Sequence, residues 1–333
     1  MPTRDPYLYM RAILVQQPGG PEQLKLTETP VPMPGAGQAQ VKIAYSGVNF
    51  IDIYFRSGLY KAEPPFSLGM EAAGIVEAVG EGVKEVAVGD RVAYAMARGS
   101  YAEYAVIPAW QLVKVPEKVG LDQAAAAMLQ GMTAHYLTHS TWPLKQHETC
   151  LVHAAAGGAG RLIAQMAKMK GAHVIGTTST EAKAATAREA GCDEVILYTE
   201  KPFDVEVKRI TGGRGVDVVY DSVGKSTFEQ SLNSLRPRGL MVTFGNASGA
   251  VPAIEPLLLN SKGSLFLTRP TLFHHCATRE ELLWRAGDVL GWVASGALKL
   301  HIEKIYPMSQ AAQAQIDLAG RKTQGKLLLD PAL

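Results

Sequence analysis

Val152-His-Ala-Ala-Ala-Gly-Gly-Ala-Gly160 is the stretch that decides the fold of this 333-residue chain. It follows the apolar run Thr149-Cys-Leu-Val and precedes residues 162–169, where apolar side chains recur at helical spacing. Read as Ala155-x-Gly157-x-x-Gly160, the stretch is a phosphate-binding turn with alanine in place of its first glycine. Small residues let the chain turn sharply and let a pyrophosphate approach the backbone N–H groups of the helix N-terminus. A plain tight turn is the alternative, and the flanking strand and helix count against it.

The region around this turn alternates between strand-like and helical segments. Six apolar runs predict strands, at residues 149–154, 173–177, 194–198, 216–220, 240–244 and 264–268. Strands that alternate with helices imply right-handed crossovers and a parallel sheet. We therefore predict an α/β fold class, with a six-stranded parallel-sheet Rossmann domain over residues 129–269.

The segments on either side of this domain have a different pattern. Between residues 10 and 115, short apolar runs are broken by Gly and Pro, which predicts a mostly-β domain. After residue 270 the chain offers one amphipathic helix, with the capping-box pair Thr278 and Glu281, and one strand at 326–330. This tail is too short for a third domain. We predict that residues 1–128 begin the β domain and that residues 270–333 return to it.

The composition excludes several classes of function. Lys and Arg number 33 and Asp and Glu 31, a net charge of +2, so nucleic acid is an improbable partner. The three cysteines have no C-x-x-C spacing, which is typical of a reducing compartment and not of a thiolate zinc site. The chain has no apolar run of about 18 residues and no secretory signal. We expect a cytoplasmic protein without a membrane partner.

The end of the second predicted strand indicates which dinucleotide is bound. An NAD site places an acid there for the ribose hydroxyls, but Gly176-Thr-Thr-Ser-Thr180 has none before Glu181. Hydroxyl groups of Thr178 and Ser179, together with the ammonium group of Lys183, suit a 2′-phosphate. We predict NADPH as the cofactor. The alternative is that Lys183 is an ordinary solvated helix residue.

The glycine turn and three further segments, residues 48–60, 80–92 and 220–225, carry a family resemblance. Together they resemble the zinc-free quinone oxidoreductase (zeta-crystallin-like) branch of the medium-chain dehydrogenases/reductases. The resemblance covers nearly the whole chain from Met10. It implies a GroES-like catalytic domain around an inserted Rossmann domain, NADPH without zinc or flavin, a small quinone or related electron-poor acceptor as substrate, and a homodimer.

Two positions separate the chain from zinc-dependent members of the superfamily. Those relatives bind catalytic metal through a Cys near the position of Gly47 and a His in a Gly-His-Glu segment. Here that segment reads Gly69-Met70-Glu71, and a thioether is a poor zinc ligand beside imidazole or thiolate. We expect no metal site.

The resemblance also implies roles for individual residues. Gly157, Gly158 and Ala159 would line the pyrophosphate. Lys183, Tyr198 and Arg321 would bind the 2′-phosphate, with Ser222 and Asn246 at later strand ends. Asn49, Tyr54, Tyr60 and Thr133 would surround the nicotinamide and the substrate cleft. Gln130 stands where this branch often carries lysine, so no cationic role is expected there.

Hydride transfer from the nicotinamide to a quinone is the predicted reaction, since quinones need little Lewis-acid activation. A phenol such as Tyr54 or Tyr60 either polarises the acceptor oxygen or only walls the cleft. One rival function is reduction of activated C=C bonds in enals, enones or enoyl thioesters. A rival of another class is an NADPH-binding or RNA-binding accessory role, against which the near-neutral charge counts.

Overall fold

The computed structural model describes residues 8–321 and 323–333. The strands are β1 Tyr9–Val15, β2 Leu24–Pro30, β3 Gln38–Val48, β4 Phe66–Ser67, β5 Glu71–Val79, β6 Arg91–Ala95, β7 Tyr104–Pro108, β8 Val113–Lys114, β9 Thr149–Val152, β10 His173–Thr178, β11 Glu194–Leu197, β12 Val216–Asp221, β13 Leu235–Thr243, β14 Phe266–Thr268, β15 Ile302–Pro307 and β16 Lys326–Asp330. The α-helices are α1 Phe50–Ser57, α2 Leu121–Tyr136, α3 Gly158–Met169, α4 Glu181–Glu189, α5 Phe203–Ile210, α6 Phe228–Ser234, α7 Leu257–Ser261, α8 Leu272–His275, α9 Arg279–Ser295 and α10 Ala311–Ala319.

The chain divides into two compact units. The first unit runs up to Met132 and resumes at Cys276, and the second unit is Thr133–His275. The boundaries that the sequence suggested, at 128/129 and 269/270, fall a few residues before these points and stay a prediction. Within the described residues, no helix is both long enough and apolar enough to cross a membrane.

The second unit is built on a six-stranded sheet in the order β11-β10-β9-β12-β13-β14. Each neighbouring pair in this sheet is parallel. The strand that precedes the glycine turn, β9, therefore lies in the centre, and the order is that of a dinucleotide-binding sheet. Every residue of β12 is buried, as expected for a strand with helices on both faces. The predicted Rossmann architecture is confirmed.

The first unit is mostly β, as predicted. Its larger sheet has the order β15-β16-β3-β5-β6-β8, with β7 also paired to β3. A smaller sheet has the order β2-β1-β4. The tail joins this unit because β16 pairs antiparallel with the end of β3, where Leu328 lies opposite Gly47.

Local sequence signals set the helix ends that matter below. The Thr278 hydroxyl accepts the N–H of Glu281 at 3.2 Å, and the Glu281 carboxylate accepts the N–H of Thr278 at 3.4 Å. This confirms the predicted capping box at the start of α9. Helix α3 begins differently, because its N-cap residue is Gly157 and no side chain caps it.

Candidate active site

The glycine turn of the second unit is tightly folded against the end of β9. Ala154 has a positive φ of 50°, and its carbonyl oxygen accepts the N–H of Gly157 at 2.8 Å. A Cβ at Gly160 would overlap this same carbonyl group, so only glycine allows the close approach. The turn therefore delivers the chain directly into α3.

The first N–H groups of α3 are open to an anion. Arg161 is the first residue of this helix region whose N–H meets a backbone acceptor, the Gly157 carbonyl at 2.9 Å. Among the described residues, the N–H groups of Gly158, Ala159 and Gly160 have no acceptor. Three unsatisfied donors at the positive end of the helix dipole fit a pyrophosphate.

A buried polar chain supports the turn from behind. The imidazole of His153 is bonded to the Thr177 hydroxyl at 2.8 Å and to the Ser231 hydroxyl at 2.9 Å. Ser231 in turn donates to a carboxylate oxygen of Asp221 at 3.1 Å. Burial lowers the pKa of His153, an effect that the Asp221 carboxylate opposes. This chain joins the ends of β9, β10 and β12 and so fixes the edge of the sheet at which the turn lies.

The end of β10 groups four of the predicted 2′-phosphate residues in the second unit. The Tyr198 N–H donates to the Thr178 carbonyl at 3.1 Å, and Ser179 follows Thr178 directly. Helix α4 starts here, because the Thr180 hydroxyl accepts the N–H of Lys183 at 3.3 Å. The backbones of Thr178, Ser179, Lys183 and Tyr198 therefore lie close together at one strand end.

The first carboxylate that follows this strand end in the chain is already engaged. Glu181 accepts a hydrogen bond from the Arg188 guanidinium at 2.6 Å on the exposed face of α4. A ribose hydroxyl would have to compete with this cation for the carboxylate. The arrangement therefore favours a 2′-phosphate over a free 2′-hydroxyl.

The remaining predicted cofactor residues lie in both units. Ser222 follows β12 and Asn246 follows β13, and the Ala247 N–H donates to the Ser222 carbonyl at 3.3 Å, so these two strand ends are adjacent. Thr133 lies in α2 as the first residue of the second unit. Arg321 is exposed and belongs to the first unit, after α10, with a positive φ of 55°.

The first unit holds Asn49 in a buried polar cluster. Its amide nitrogen donates to Glu71 at 2.8 Å, and its amide oxygen accepts from the Lys326 ammonium group at 2.8 Å. Lys326 also forms an ion pair with Glu71, whose second oxygen accepts the N–H of Leu129 at 2.6 Å. Gln130 adds a longer contact to the Asn49 oxygen at 3.4 Å. Asn49 is thus held at both ends of its amide.

Asp52 fixes the backbone beside Asn49. One of its carboxylate oxygens accepts the N–H of Asn49 at 2.9 Å and the phenol of Tyr101 at 3.0 Å. Within the described chain its other oxygen has no hydrogen-bond partner. Burial raises the pKa of Asp52 to about 7, and the Asn49 N–H opposes that rise. Asp52 is therefore poised to change protonation near neutral pH.

Tyr54 and Tyr60 lie together in an aromatic cluster at the end of α1. Their ring centroids are 5.3 Å apart in an edge-on arrangement, and the Tyr60 N–H donates to the Tyr54 carbonyl at 3.0 Å. Phe55 packs on Tyr60 at 5.6 Å. Asn49 is the N-cap residue of α1 and Tyr60 follows its end, so one short segment carries the amide and this aromatic cluster.

The residues at the position of the relatives' zinc do not suit a metal. Gly47 offers no donor, and a Cβ there would lie 2.6 Å from the Cγ of Glu71. The Glu71 carboxylate is paired with Lys326, and Met70 offers only a thioether. In the described part of the chain, no three His, Cys, Asp or Glu side chains form a group that could hold a metal ion.

Sequence reasoning missed the charged members of this cluster. Glu71, Asp52 and Lys326 were not predicted as site residues. The available signal was a charged residue at the edge of an apolar strand, as in Glu71-Ala-Ala-Gly and Lys326-Leu-Leu-Leu. That signal shows a buried charge without showing its partner, because 255 positions separate Glu71 from Lys326.

Two family models match the chain. The model described as "Alcohol dehydrogenase GroES-like domain" matches residues 35–117, and the model described as "Zinc-binding dehydrogenase" matches residues 158–282. The second description implies zinc, which the donors around Gly47 and Met70 do not fit.

Individual relatives cover almost the whole chain. Quinone oxidoreductase 1 of Escherichia coli (strain K12) is 46% identical over 317 residues, covering 94% of this chain and 97% of that protein. A 2-haloacrylate reductase of a Burkholderia species is 43% identical over 328 residues, covering 96% and 98%. The crystal structure of an Escherichia coli quinone oxidoreductase complexed with NADPH superposes with a TM-score of 0.95 at 45% identity, covering 96% of this chain and all of that one. The chain belongs to the quinone oxidoreductase branch of the medium-chain dehydrogenase/reductase superfamily.

Proposed function

We propose that this protein is an NADPH-dependent quinone reductase that works without metal or flavin. The observation that carries the proposal is the uncapped start of α3 on the central strand of a dinucleotide-binding sheet. The Escherichia coli relative was solved in complex with NADPH, which supports the interpretation of this helix start as a dinucleotide site. When bound, NADPH supplies a hydride from its nicotinamide ring to an electron-poor acceptor.

The second unit supplies most of the residues that we assign to the cofactor, and Arg321 of the first unit adds one more. The N–H groups of Gly158, Ala159 and Gly160 receive the pyrophosphate, next to Gly157 at the N-cap. The hydroxyls of Thr178 and Ser179 and the cation of Lys183 receive the 2′-phosphate, because the carboxylate that follows this strand end in the chain, Glu181, is paired with Arg188. Further cofactor contacts come from Tyr198, Ser222, Asn246, Thr133 and Arg321.

The first unit orients the acceptor. The amide of Asn49 is held in place by Glu71 and Lys326, so it forms a rigid surface of the acceptor site and has few hydrogen bonds left to offer a substrate. Tyr54 and Tyr60 offer aromatic surface to a flat quinone. Holding the two reactants in a near-attack geometry supplies on the order of 7–11 kcal/mol, which accounts for much of the acceleration with a reactive acceptor.

Reduction of activated C=C bonds is the second candidate. The 2-haloacrylate reductase at 43% identity favours it, since that relative is named for an electron-poor alkene. Both reactions use the same hydride donor, and they differ only in the acceptor that the first unit accommodates.

A panel of acceptors tests the proposal. NADPH oxidation would be followed with 1,4-benzoquinone, 9,10-phenanthrenequinone, a 2-alkenal, a crotonyl thioester and a 2-haloacrylate. We expect the highest kcat/KM with a quinone. Turnover of alkenes alone would select the second candidate, and no NADPH oxidation with any acceptor would overturn both.

We also propose a cytoplasmic homodimer that does not depend on nucleic acid. The open edge of the six-stranded sheet of the second unit supports the dimer, because β14 ends that sheet and its Phe266 is 59% exposed. Buried free thiols at Cys150, Cys192 and Cys276 suit a reducing compartment.

An accessory role in RNA binding remains the rival of another class, and salt-sensitive RNA retention in a gel shift without NADPH would support it.

A further inference from the structure

Arg98 is an exposed arginine that two aromatic rings hold in place. Its guanidinium carbon lies 5.3 Å from the ring centroid of Phe55 and 5.4 Å from that of Phe66. Within the described chain, no hydrogen bond or ion pair engages this guanidinium group. A guanidinium packed on aromatic rings keeps its edge N–H donors available, in a planar fork that matches a carboxylate or sulfonate.

Two other surface arginines lie against carboxylates instead. Arg11 pairs with Glu103 at 2.8 Å, Arg188 pairs with Glu181 at 2.6 Å, and both of these arginines are about as exposed as an ordinary surface cation. Arg98 has aromatic neighbours where those residues have carboxylates. Its charge is therefore fixed in position and available to an external anion.

The loop that carries Arg98 is bonded to the candidate active site. The Met96 N–H donates to the Met70 carbonyl at 2.8 Å, and the Gly99 N–H donates to the Gly69 carbonyl at 2.9 Å. Glu71 follows Met70 directly, so both ends of the loop are attached to the segment that leads into the buried cluster. The hydroxyls of Ser100 and Ser46 are 2.6 Å apart, a second connection beside Gly47.

The contact between Arg98 and Phe55 also places Arg98 beside the candidate active site. Phe55, which lies under the guanidinium, packs on Tyr60 with ring centroids 5.6 Å apart. Arg98 therefore borders the aromatic cluster of Tyr54, Phe55 and Tyr60 that we propose as the wall of the acceptor site.

We propose that Arg98 binds an anionic group of the acceptor, so that this enzyme prefers electron-poor acceptors that carry a carboxylate or sulfonate. The inference rests on the proposed function, because it names the substrate class of the same reaction. The acceptor's reactive ring packs on Tyr60, and its anionic substituent meets the N–H edge of Arg98.

A matched pair of quinones tests this preference. The value of kcat/KM would be measured at saturating NADPH with 1,2-naphthoquinone and with 1,2-naphthoquinone-4-sulfonate. The ratio of sulfonate to neutral quinone would be compared in the parent enzyme, in Arg98→Met and in Lys118→Met, which removes one positive charge from another exposed loop of the same unit. We expect the ratio to fall about tenfold or more in Arg98→Met and to stay unchanged in Lys118→Met.

The parent enzyme provides a second measurement that needs no variant. We expect its ratio to fall as ionic strength rises from about 0.01 M to about 0.15 M, because the Debye length shortens over that range. The inference would be overturned if the ratio changes neither with ionic strength nor in Arg98→Met, or if it falls equally in Lys118→Met. Either result would leave the proposed function intact. Failure to reduce the neutral quinone at all would overturn the proposed function instead.

Discussion

The ammonium group of Lys326 lies against the carboxylate of Glu71, and the two side chains are only 3% and 0% exposed. The pair also holds both ends of the Asn49 amide. Desolvation makes a buried ion pair weak in net stability, but removal of one partner leaves an uncompensated buried charge. The pair therefore makes the position of Asn49 depend on two residues from opposite ends of the chain.

Glu71→Gln should destabilise the protein strongly, because it leaves Lys326 buried without a counter-charge. We expect the free energy of unfolding in urea to fall by about 3–5 kcal/mol. Tryptophan fluorescence is a suitable probe, since Trp110, Trp284 and Trp292 all lie in the first unit.

The double variant Glu71→Gln/Lys326→Met is the control for this prediction. It removes both charges, so its loss should be smaller than the sum of the two single losses. Additive losses would mean that the two charges do not stabilise each other.

Asp52 should make the stability fall as pH rises toward neutrality. Burial raises its pKa to about 7 in the folded chain, against about 3.9 in the unfolded chain. Between these values only the folded chain holds the proton, so the free energy of unfolding falls with pH by up to about 1.4 kcal/mol per unit. Asp52→Asn removes this titration and keeps an oxygen acceptor for Asn49. The stability of the variant relative to the parent should therefore rise between about pH 4 and pH 7.

Asp90→Asn is a control for which the stability difference should change with pH in the opposite direction. The hydrogen bond from Lys114 holds the pKa of Asp90 below its ordinary value, so this carboxylate stabilises the fold only once it is ionised. The variant should lose stability relative to the parent as pH rises through about 4. A flat difference for Asp52→Asn across the range from pH 4 to 7 would show that Asp52 is ionised in the folded chain.

Gly160→Ala should weaken NADPH binding, because the added Cβ overlaps the Ala154 carbonyl and displaces the start of α3. We expect the Kd in a fluorescence titration to rise about tenfold or more, since the loss of well-placed donors to a charged group costs 1.5–3 kcal/mol. Gly287→Ala is the matched control. Gly287 lies inside α9 with open space around its Cα, so the same change should leave the Kd unaltered. Unchanged NADPH binding by Gly160→Ala would show that the turn does not bind the cofactor.

The sequence could predict the second unit because its signals are local. Strand and helix periods alternate around the glycine turn, and the predicted strands correspond to β9 through β14. The weakest boundary was that of β13, which begins at Leu235 and not at Leu240. Arg238 has a positive φ of 60° inside this segment, and the register with β12 shifts there. The apolar run that marks a strand in the sequence therefore begins only after Arg238.

The buried cluster of the first unit could not be predicted in the same way. Its members come from β5, from the start of α1 and from β16, and the pairing of β16 with β3 brings them together. No local pattern encodes a contact between residues 71 and 326. Of this cluster, the resemblance predicted only Asn49 as a site residue.

Lys183→Glu should reverse the preference between the two reduced nicotinamide cofactors. The substitution replaces a cation by a carboxylate beside Thr178 and Ser179, which would repel a 2′-phosphate and accept a hydrogen bond from a ribose hydroxyl. We expect the parent to bind NADPH at least about tenfold more tightly than NADH, and the variant to lose or invert this ratio. Fluorescence titrations with both cofactors measure it.

Lys170→Glu is the charge-matched control for this change. Lys170 follows the end of α3, at the opposite edge of the sheet from the turn, so its reversal should leave the cofactor ratio unaltered. Equal affinity of the parent for NADPH and NADH would contradict the assignment of Lys183.

Tyr54→Phe should retain most of the turnover with a quinone. An ordinary phenol with a pKa near 10 is a weak acid at neutral pH, and a hydride acceptor as reactive as a quinone can take its proton from water. We expect kcat with 1,4-benzoquinone to fall by less than about a hundredfold, below the usual 10²–10⁴ range of general-acid catalysis. Tyr94→Phe is the matched control, since in the described structure its buried hydroxyl has no hydrogen-bond partner. A larger loss confined to Tyr54→Phe would make its hydroxyl group a proton donor in the reaction, because the ring that packs on Tyr60 is preserved.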